Sequence, residues 1–388
     1  MVGVRVLFTS LPGIGHLHPL MPLARELSGR GHEVAFAVSE PFRAQVAAAG
    51  FDRHHAVGAA WLTSDLPTRF PELGAIPPGP ARYEHARAHV FAGALPLDVV
   101  DDLTDLIERW RPDAVIRDAA ELGGYVAAER CGVPHVMVRT DSGSALYSER
   151  GVMAPALDAV RAQIGLPPDP EAERPFAHLQ LSAAPPIMDG PAAALPATWH
   201  HVRSRLERTS TDEPTWLHEL GARGPVVYAT LGTVHSGPDL LAAIVDALAD
   251  ERLEVVVTTG NVDPASLGRQ PDRIHVARWV SQADLLGRCD AVVSHGGFGT
   301  LAATLSHGVP LVMLPISADQ PMNARQAAEA GVGIELPPAD RTVGAIRAAV
   351  DAVLSDPSYA TAAQPPIDHA VDLLEALVAR PALSCIRC

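Results

Sequence analysis

The sequence predicts an α/β chain of two doubly wound, Rossmann-like domains facing a central cleft. Three observations predict it. Short, continuously apolar runs alternate with helical patterns, the mark of parallel strands buried on both faces. The alternation fades through a proline- and alanine-crowded stretch, 167–196, and restarts at Val226. Each half carries a glycine turn directly after an apolar run, Pro12-Gly13-Ile14-Gly15-His16 and His295-Gly296-Gly297. In such sheets ligands bind beyond the carboxyl ends of the strands, where the strand order reverses. At 388 residues the chain also exceeds the usual size of a single core.

In the first half, Val4 to Thr9 reads as a buried strand and Leu20 to Gly29 has helical periodicity. Glu33 to Val38 is a second strand, followed by a helix from Pro41 to Ala49 that stops at Gly50. Asp113 to Arg117 and His135 to Arg139 repeat the strand pattern, with a helix over Leu122 to Cys131 between them. The stretch 60–96 breaks the rhythm with prolines, glycines and isolated aromatics, so long loops and short helices are expected there. In the second half, strands are expected at Val226 to Thr230, Glu254 to Thr258, Ile274 to Ala277, Ala291 to Val293 and Leu311 to Leu314, with a helix around Leu240 to Leu248. The expected division is a first domain over 1–205, a linker over 206–222 and a second domain over 223–365. For the tail, 366–388, a helix returning to the N-terminal domain is the expectation.

Composition excludes several chemistries. All 30 basic residues are arginine, a pattern that fits the codon bias of a GC-rich genome. Neither a Schiff-base lysine nor a P-loop lysine is therefore available. The net charge of −15 argues against a nucleic-acid partner, whose phosphates demand a basic surface. Cys131, Cys289, Cys385 and Cys388 form no zinc pattern; the first two read as small core residues in a reducing compartment, the last two as part of an incidental tail. The N-terminus breaks at Pro12-Gly13, too early for a signal h-region, and no run reaches the roughly 18 apolar residues of a membrane helix. A soluble, cytoplasmic protein without stable membrane insertion is expected. The oligomeric state is left open, a homodimer included.

The most specific chemistry lies in Ser294-His295-Gly296-Gly297-Phe298-Gly299-Thr300, followed by Asp319-Gln320-Pro321-Met322-Asn323. Glycines let the backbone approach a ligand, and N–H groups at a helix start attract phosphate. A polar Asp-Gln pair one unit later can grip hydroxyls. A phosphate cradle beside a hydroxyl-binding pair suggests a nucleotide-sugar.

These motifs resemble the nucleotide-sugar-dependent glycosyltransferases with the GT-B fold, in particular the bacterial branch that decorates antibiotics and other natural products, macrolide and UDP-glycosyltransferases among them. Gly15-His16-Leu17-His18-Pro19 is similar to the family's Gly-His-x-x-Pro turn, and Trp279-Val280-Ser281-Gln282 to its Trp-x-Pro-Gln motif. His295 to Thr300, Gly308-Val309-Pro310, Asp319-Gln320 and Asn323-Ala324 resemble its donor signature in the same order.

The resemblance implies roles residue by residue. Trp279 and Val280 would hold the nucleobase, with Gln282 in the same motif. His295, Gly296, Gly297, Gly299 and Thr300 would cradle the diphosphate, with Gly232 and Thr233 closing from the other side. Asp319 and Gln320 would bind sugar hydroxyls. In the first half His16 would be the general base that takes a proton from the acceptor, steadied by Asp118. Asp113 is the competing carboxylate, but it precedes the strand and belongs at the far edge of the sheet. A core tryptophan, a capping histidine, a helix-capping aspartate and a solvated turn are the ordinary alternatives for Trp279, His16, Asp118 and the Asp319-Gln320 pair. Trp61, Phe70, Phe91 and Tyr147 are candidates for an apolar acceptor wall. His85 and His89, one helical turn apart, lack a third ligand, and Asp98 to Asp102 reads as a solvated helix face. Neither a metal nor a cofactor is expected, the nucleotide-sugar being a co-substrate.

Three positions depart from the family pattern. Ser281 replaces a proline, His18 stands where a small polar residue is common, and Ala303 stands where many relatives carry a ribose-binding glutamate. The function implied is inverting, metal-independent transfer of a sugar, a deoxysugar in expectation, from a TDP- or UDP-sugar to a hydrophobic natural product. Rival readings are a nucleotide-sugar epimerase, an inactive sugar-nucleotide-binding helper and an NAD-dependent oxidoreductase, the last lacking the third glycine of its fingerprint at His18.

Overall fold

The computed structural model describes residues 3–77, 80–139, 150–182, 195–202, 214–232, 238–250, 252–363 and 370–379. Within them lie two entirely parallel sheets. The first contains β1 (Arg5–Thr9), β2 (Glu33–Val38), β3 (His54–Ala56), β4 (Ala114–Asp118), β5 (His135–Val138), β6 (Leu179–Ser182) and β7 (Trp199–His201). Its order is β3-β2-β1-β4-β5-β6-β7. The second contains β8 (Val226–Thr230), β9 (Glu254–Thr258), β10 (Ile274–Ala277), β11 (Ala291–Ser294), β12 (Leu311–Met313) and β13 (Gly333–Glu335), in the order β10-β9-β8-β11-β12-β13. Both orders reverse between the first and fourth strands, which opens a crevice at the carboxyl edge of each sheet.

Continuous apolar strands follow from burial on both faces. Val6 and Phe8 of β1 pack into one layer with Phe36, Val38 and Ile116, while Leu7 packs into the other with Ala35, Ala37 and Val115. The second sheet repeats this arrangement, with Val227 and Ala229 on one side and Val226 and Tyr228 on the other. The two sheets also share a device at their amino edges. Asp113 Oδ2 accepts the Arg5 amide at 2.7 Å, and Asp290 Oδ2 accepts the Val226 amide at 2.8 Å. Asp113 thus sits at the edge remote from the carboxyl ends.

Four strands were not evident from periodicity. β3 and β13 are three-residue edge strands; β6 and β7 lie in or beside the proline-rich stretch, where two to four apolar residues cannot establish a period. The stretch 60–96 is more helical than expected. Short helical turns cover Thr63–Asp65, Leu66–Arg69 and Glu72–Ala75. Pro80–His85 then runs through a π-helix, Ala86–Ala94, into the helix Leu95–Trp110. On that last helix Asp98 accepts the Ala59 amide and pairs with Arg69, Asp101 pairs with Arg130, and Asp102 accepts the Gly58 amide.

The helix Ala370–Ala379 packs on the first sheet's layer, burying Val371 and Leu374 beside Leu27. Asp372 meets Arg30 at 2.7 Å and Glu375 meets His32 at 3.0 Å. Burial of each aliphatic side chain there contributes about 1.5–3 kcal/mol, well above the exposed ion pair. Cys289 is buried, with its thiol pushed up to about 12 by burial; Cys385 and Cys388 lie outside the described residues. No helix among the described residues is long and apolar enough to cross a membrane.

Candidate active site

The carboxyl edges of the two sheets confront each other. Arg139, fully buried just after β5, sets its guanidinium 5.3 Å from the Trp199 ring and 5.6 Å from the ring of Phe298, which opens a helix of the second sheet. Between the edges runs a cleft of about 1550 Å³, lined from one side by His16 and from the other by His295, Gly297 and Thr300.

On the first side, β1 leads through a turn into the four-residue helix Ile14–Leu17, which carries His16. Asp118 ends β4, the strand paired with β1, so the switch point brings the two together. His16 Nδ1 lies 3.1 Å from Asp118 Oδ1. An ionised carboxylate only accepts, so the proton of that bond belongs to Nδ1 and the basic lone pair to Nε2. Asp118 is fully buried and also accepts the amides of Leu11 at 2.8 Å, Ala120 at 2.8 Å and Glu121 at 3.2 Å. It therefore anchors the His16 loop as well as the ring.

Behind this pair lies a charged layer that sequence reasoning did not single out. Arg117, fully buried, donates to the carbonyls of Asp118, Ala119 and Pro175, and burial lowers its pKa to about 10. Glu121 accepts from the Thr9 hydroxyl and, at 3.0 Å, from the Gly124 amide. Burial raises its pKa, with the Asp118 charge adding to the rise. The signal was present: Arg117-Asp118 and Glu121 are charges in or beside a strand whose other residues are apolar.

On the second side, β11 ends at Ser294 and turns through His295-Gly296-Gly297 into the helix Phe298–Leu305. Gly297 is its extended N-cap, makes no side-chain cap bond, and no acid occupies the first turn. That end of the helix carries partial positive charge. Gly232, at φ +78° after β8, and Gly297 clasp the imidazole of His295. A Cβ on Gly232 would lie 2.8 Å from His295 Nε2, and one on Gly297 would collide with the same atom. Only glycine leaves room for the ring.

Asn323, fully buried, ties this turn to the next one. Its Nδ2 donates to the Gly296 carbonyl at 2.9 Å and to Asp319 Oδ2 at 2.8 Å. Gln320 Oε1 accepts the amides of Ile316 at 2.8 Å and Ser317 at 3.0 Å. Ala318, between them and Asp319, holds a left-handed φ of +56°, a costly conformation for a residue with a Cβ. Asp319 and Gln320 both line the cleft.

Trp279 is 49% exposed and lines the cleft, which removes the core-tryptophan alternative; Val280 behind it is buried. Gln282 lines the same region, where Tyr228 Oη meets Thr258 Oγ1 at 2.9 Å. Burial raises the Tyr228 pKa, against hydrogen bonds with Gln282, Thr258 and Thr230. This polar floor was not foreseen; Ala303 is buried in the hydrophobic cluster beside it. Gly299 also lines the cleft.

The four aromatics expected on the acceptor wall separate. Phe91 lines the cleft. Trp61 is buried with Leu11, Leu73 and Val90, and Phe70 packs against that cluster, so neither lines the cleft; both support the wall from behind. Isolated aromatics in an irregular segment gave no way to tell a lining ring from a supporting one. Tyr147 and Thr233 lie outside the described residues. The His85 and His89 rings lie 4.5 Å apart, and no group of three potential ligands among the described residues is placed to hold a metal.

Comparison with known proteins gives matches over both halves. Residues 84–177 match the N-terminal domain, and 242–373 the C-terminal domain, of the erythromycin biosynthesis protein CIII-like family. The L-demethylnoviosyl transferase of Streptomyces niveus is 33% identical over 91% of this chain and 90% of that protein. The spinosyn forosaminyltransferase SpnP superposes with a TM-score of 0.76 at 25% identity, covering 97% of this chain and all of that one. The glycosyltransferase VinC, solved in complex with dTDP, gives a TM-score of 0.75 at 27% identity, covering 97% and 100%.

Proposed function

The chain belongs to the erythromycin biosynthesis protein CIII-like family of bacterial natural-product glycosyltransferases with the GT-B fold, and from that premise we propose that it inverts the anomeric centre of a TDP- or UDP-sugar without a metal ion. The observation that carries this reading is the single cleft shared by the His16–Asp118 pair and the His295–Gly297 turn.

The N-terminal half takes a hydrophobic acceptor and the C-terminal half takes the donor. With its Nδ1 proton held by Asp118, His16 receives the acceptor hydroxyl proton at Nε2. The acceptor oxygen forms a bond to the anomeric carbon from the face opposite the diphosphate. The bond from that carbon to the diphosphate oxygen breaks, and its electron pair leaves with the nucleoside diphosphate. The helix start at Phe298, His295 and the Thr300 hydroxyl receive the growing negative charge. Asp319 and Gln320 hold the sugar hydroxyls, Trp279 stacks the base, and Asp118 stabilises the imidazolium until its proton is lost to water. A sulfate-like anion site could be built from the helix start alone; a general base facing it across one cleft favours transfer.

Mass spectrometry with TDP- and UDP-sugars against aromatic and polyketide acceptors tests the reading. Expected are a product heavier by one sugar residue, the opposite anomeric configuration by NMR, and undiminished turnover in EDTA. Conversion of donor alone to a new sugar nucleotide would instead establish an epimerase. Loss of turnover in EDTA would end the metal-free mechanism.

A further inference from the structure

A second cavity, of about 290 Å³, lies between the edge strand β3 and the helix Leu95–Trp110. No described residue lines both it and the cleft between the sheets. Its two ends differ in charge. Toward the carboxyl end of β3, Asp102 and Asp105 line it from the helix, and the Gly58 amide donates to Asp102 Oδ2 at 2.8 Å. Toward the amino end of β3, His54 and His55 line it with Arg43 and Arg109. Arg43 Nε donates to His54 Nδ1 at 2.9 Å, which leaves the neutral ring its proton on Nε2, as a donor. Between these ends, along helix and strand, lie Leu106 and Val57, both buried.

Asp105 and Arg109 stand four residues apart on one face of the helix, the spacing and order that ordinarily join an acid to a base. No ion pair forms between them, and among the described residues neither has another. Both are exposed. His55 Nε2 is buried without a hydrogen-bond partner. Burial first, then the charges of Arg109, His54, Arg43 and Arg53, lowers the pKa of that ring, so it stands neutral at the cationic end. Arg43 already meets Glu40 at 2.8 Å. Arg109 and Asp105 therefore carry the uncompensated charges, about 6 Å apart along the helix axis. Opposite charges held apart over an apolar floor match a molecule that carries the complementary pair at a similar separation. A carboxylate takes a guanidinium through two parallel hydrogen bonds, and an ammonium donates to carboxylate oxygens. We propose that this cavity binds a small dipolar molecule of the ω-amino acid class, its carboxylate on Arg109 beside His55 and its ammonium on Asp102 and Asp105. The methylene chain then lies along Leu106 and Val57. The site stands apart from the sugar-transfer chemistry and does not depend on it.

The test uses 6-aminohexanoate as the probe, with hexanoate and hexylamine as molecules that keep one end each. Each is titrated by calorimetry into the full chain and into Asp105→Asn and Arg109→Gln, substitutions at exposed positions that leave the core intact. The unsubstituted chain should bind the zwitterion about tenfold or more tighter than either half-molecule, the ratio expected for one added charge-assisted contact. Asp105→Asn should bring the zwitterion down to the affinity that the unsubstituted chain shows for hexanoate. Arg109→Gln should bring it down to the affinity shown for hexylamine. The ring resonances of His55 should shift when 6-aminohexanoate binds the unsubstituted chain and stay in place with Arg109→Gln. Absence of saturable binding, equal affinities for the three molecules, or an unchanged affinity for the zwitterion in both variants would overturn the proposal. All of these readouts report binding outside the cleft. A failure here leaves sugar transfer standing, and absence of transfer to any acceptor leaves this site standing.

Discussion

His16 Nδ1 lies 3.1 Å from Asp118 Oδ1, and the second oxygen of that carboxylate takes the amide of Leu11 at 2.8 Å. One buried group therefore fixes both the tautomer of the ring and the position of the loop that carries it. Asp118→Asn keeps the shape but offers an amide where an acceptor is needed. With its oxygen kept toward His16 and the Ala120 and Glu121 amides, the new NH2 faces the Leu11 amide, which loosens the His16 loop. The negative charge that would stabilise the imidazolium is also gone. Turnover should fall by about 10²–10⁴-fold while donor binding changes little. Steady-state kinetics with calorimetry of TDP binding separates the two. A turnover number equal to wild type would remove the pair from the mechanism.

The clasp on His295 gives a complementary outcome. Gly232→Ala meets both a positive φ and the His295 ring, and Gly297→Ala meets the same ring from the other side. Either forces the imidazole out of the turn, so affinity for TDP and UDP should fall by about tenfold or more, equivalent to about 1.4 kcal/mol. Binding of an acceptor to the first-half lobe should be unchanged. Calorimetric titration with each nucleotide reads the first effect, and unchanged nucleotide affinity in both variants would sink the role of the turn.

Much of this was legible in the sequence because apolar runs buried on both faces need no long-range information. β1, β2, β4, β8, β9 and β11 are five- and six-residue runs or nearly so, and the glycine turns follow them directly. What stayed hidden depended on tertiary partners. Arg139 reads as an ordinary strand-end charge until Phe298 is seen beneath it, and Arg117 gains meaning only from the carbonyls it holds. Trp61 and Phe91 look alike in sequence, yet one packs behind the wall and the other lines it. Phe91 takes its place from the π-helical turns of Ala86–Ala94 and Trp61 from the irregular segment before Thr63, and proline and glycine spacing in 60–96 revealed neither.

Asn323 predicts a different kind of loss. Its amide is fully buried and holds Gly296 and Asp319 at once. Asn323→Ala leaves a buried carbonyl and a carboxylate short of a donor, at a cost of about 1–3 kcal/mol. The phosphate turn and the sugar-binding turn then lose their common support. The Michaelis constant for donor should rise more than that for acceptor, and the melting temperature should fall. Asn323→Asp, which replaces the donor by a second negative charge beside Asp319, should be worse than Ala. If acceptor and donor constants rise together, the effect is general loosening and the link between the turns is not specific.

Stability should also fall on mild acidification, through His135. This ring is fully buried on β5, with His178 edge-on at 4.6 Å, Tyr125 at 5.2 Å and the cations of Arg117 and Arg174 acting on it. Burial, then His178 and the two arginines, hold its folded-state pKa well below the ordinary 6.5. His178 is lowered too, by burial first, against the opposing charge of Glu129. Above about pH 6.5 both states are neutral at these sites and the full stability is present. As pH falls through the unfolded-state value, the unfolded chain binds protons that the folded chain refuses, so unfolding becomes easier with every step down. The melting temperature should therefore drop more steeply between about pH 7 and about pH 5 for wild type than for His135→Met, which packs a similar volume and cannot titrate. Identical slopes for the two proteins would show that the buried imidazole stays neutral in both states or finds its proton while folded.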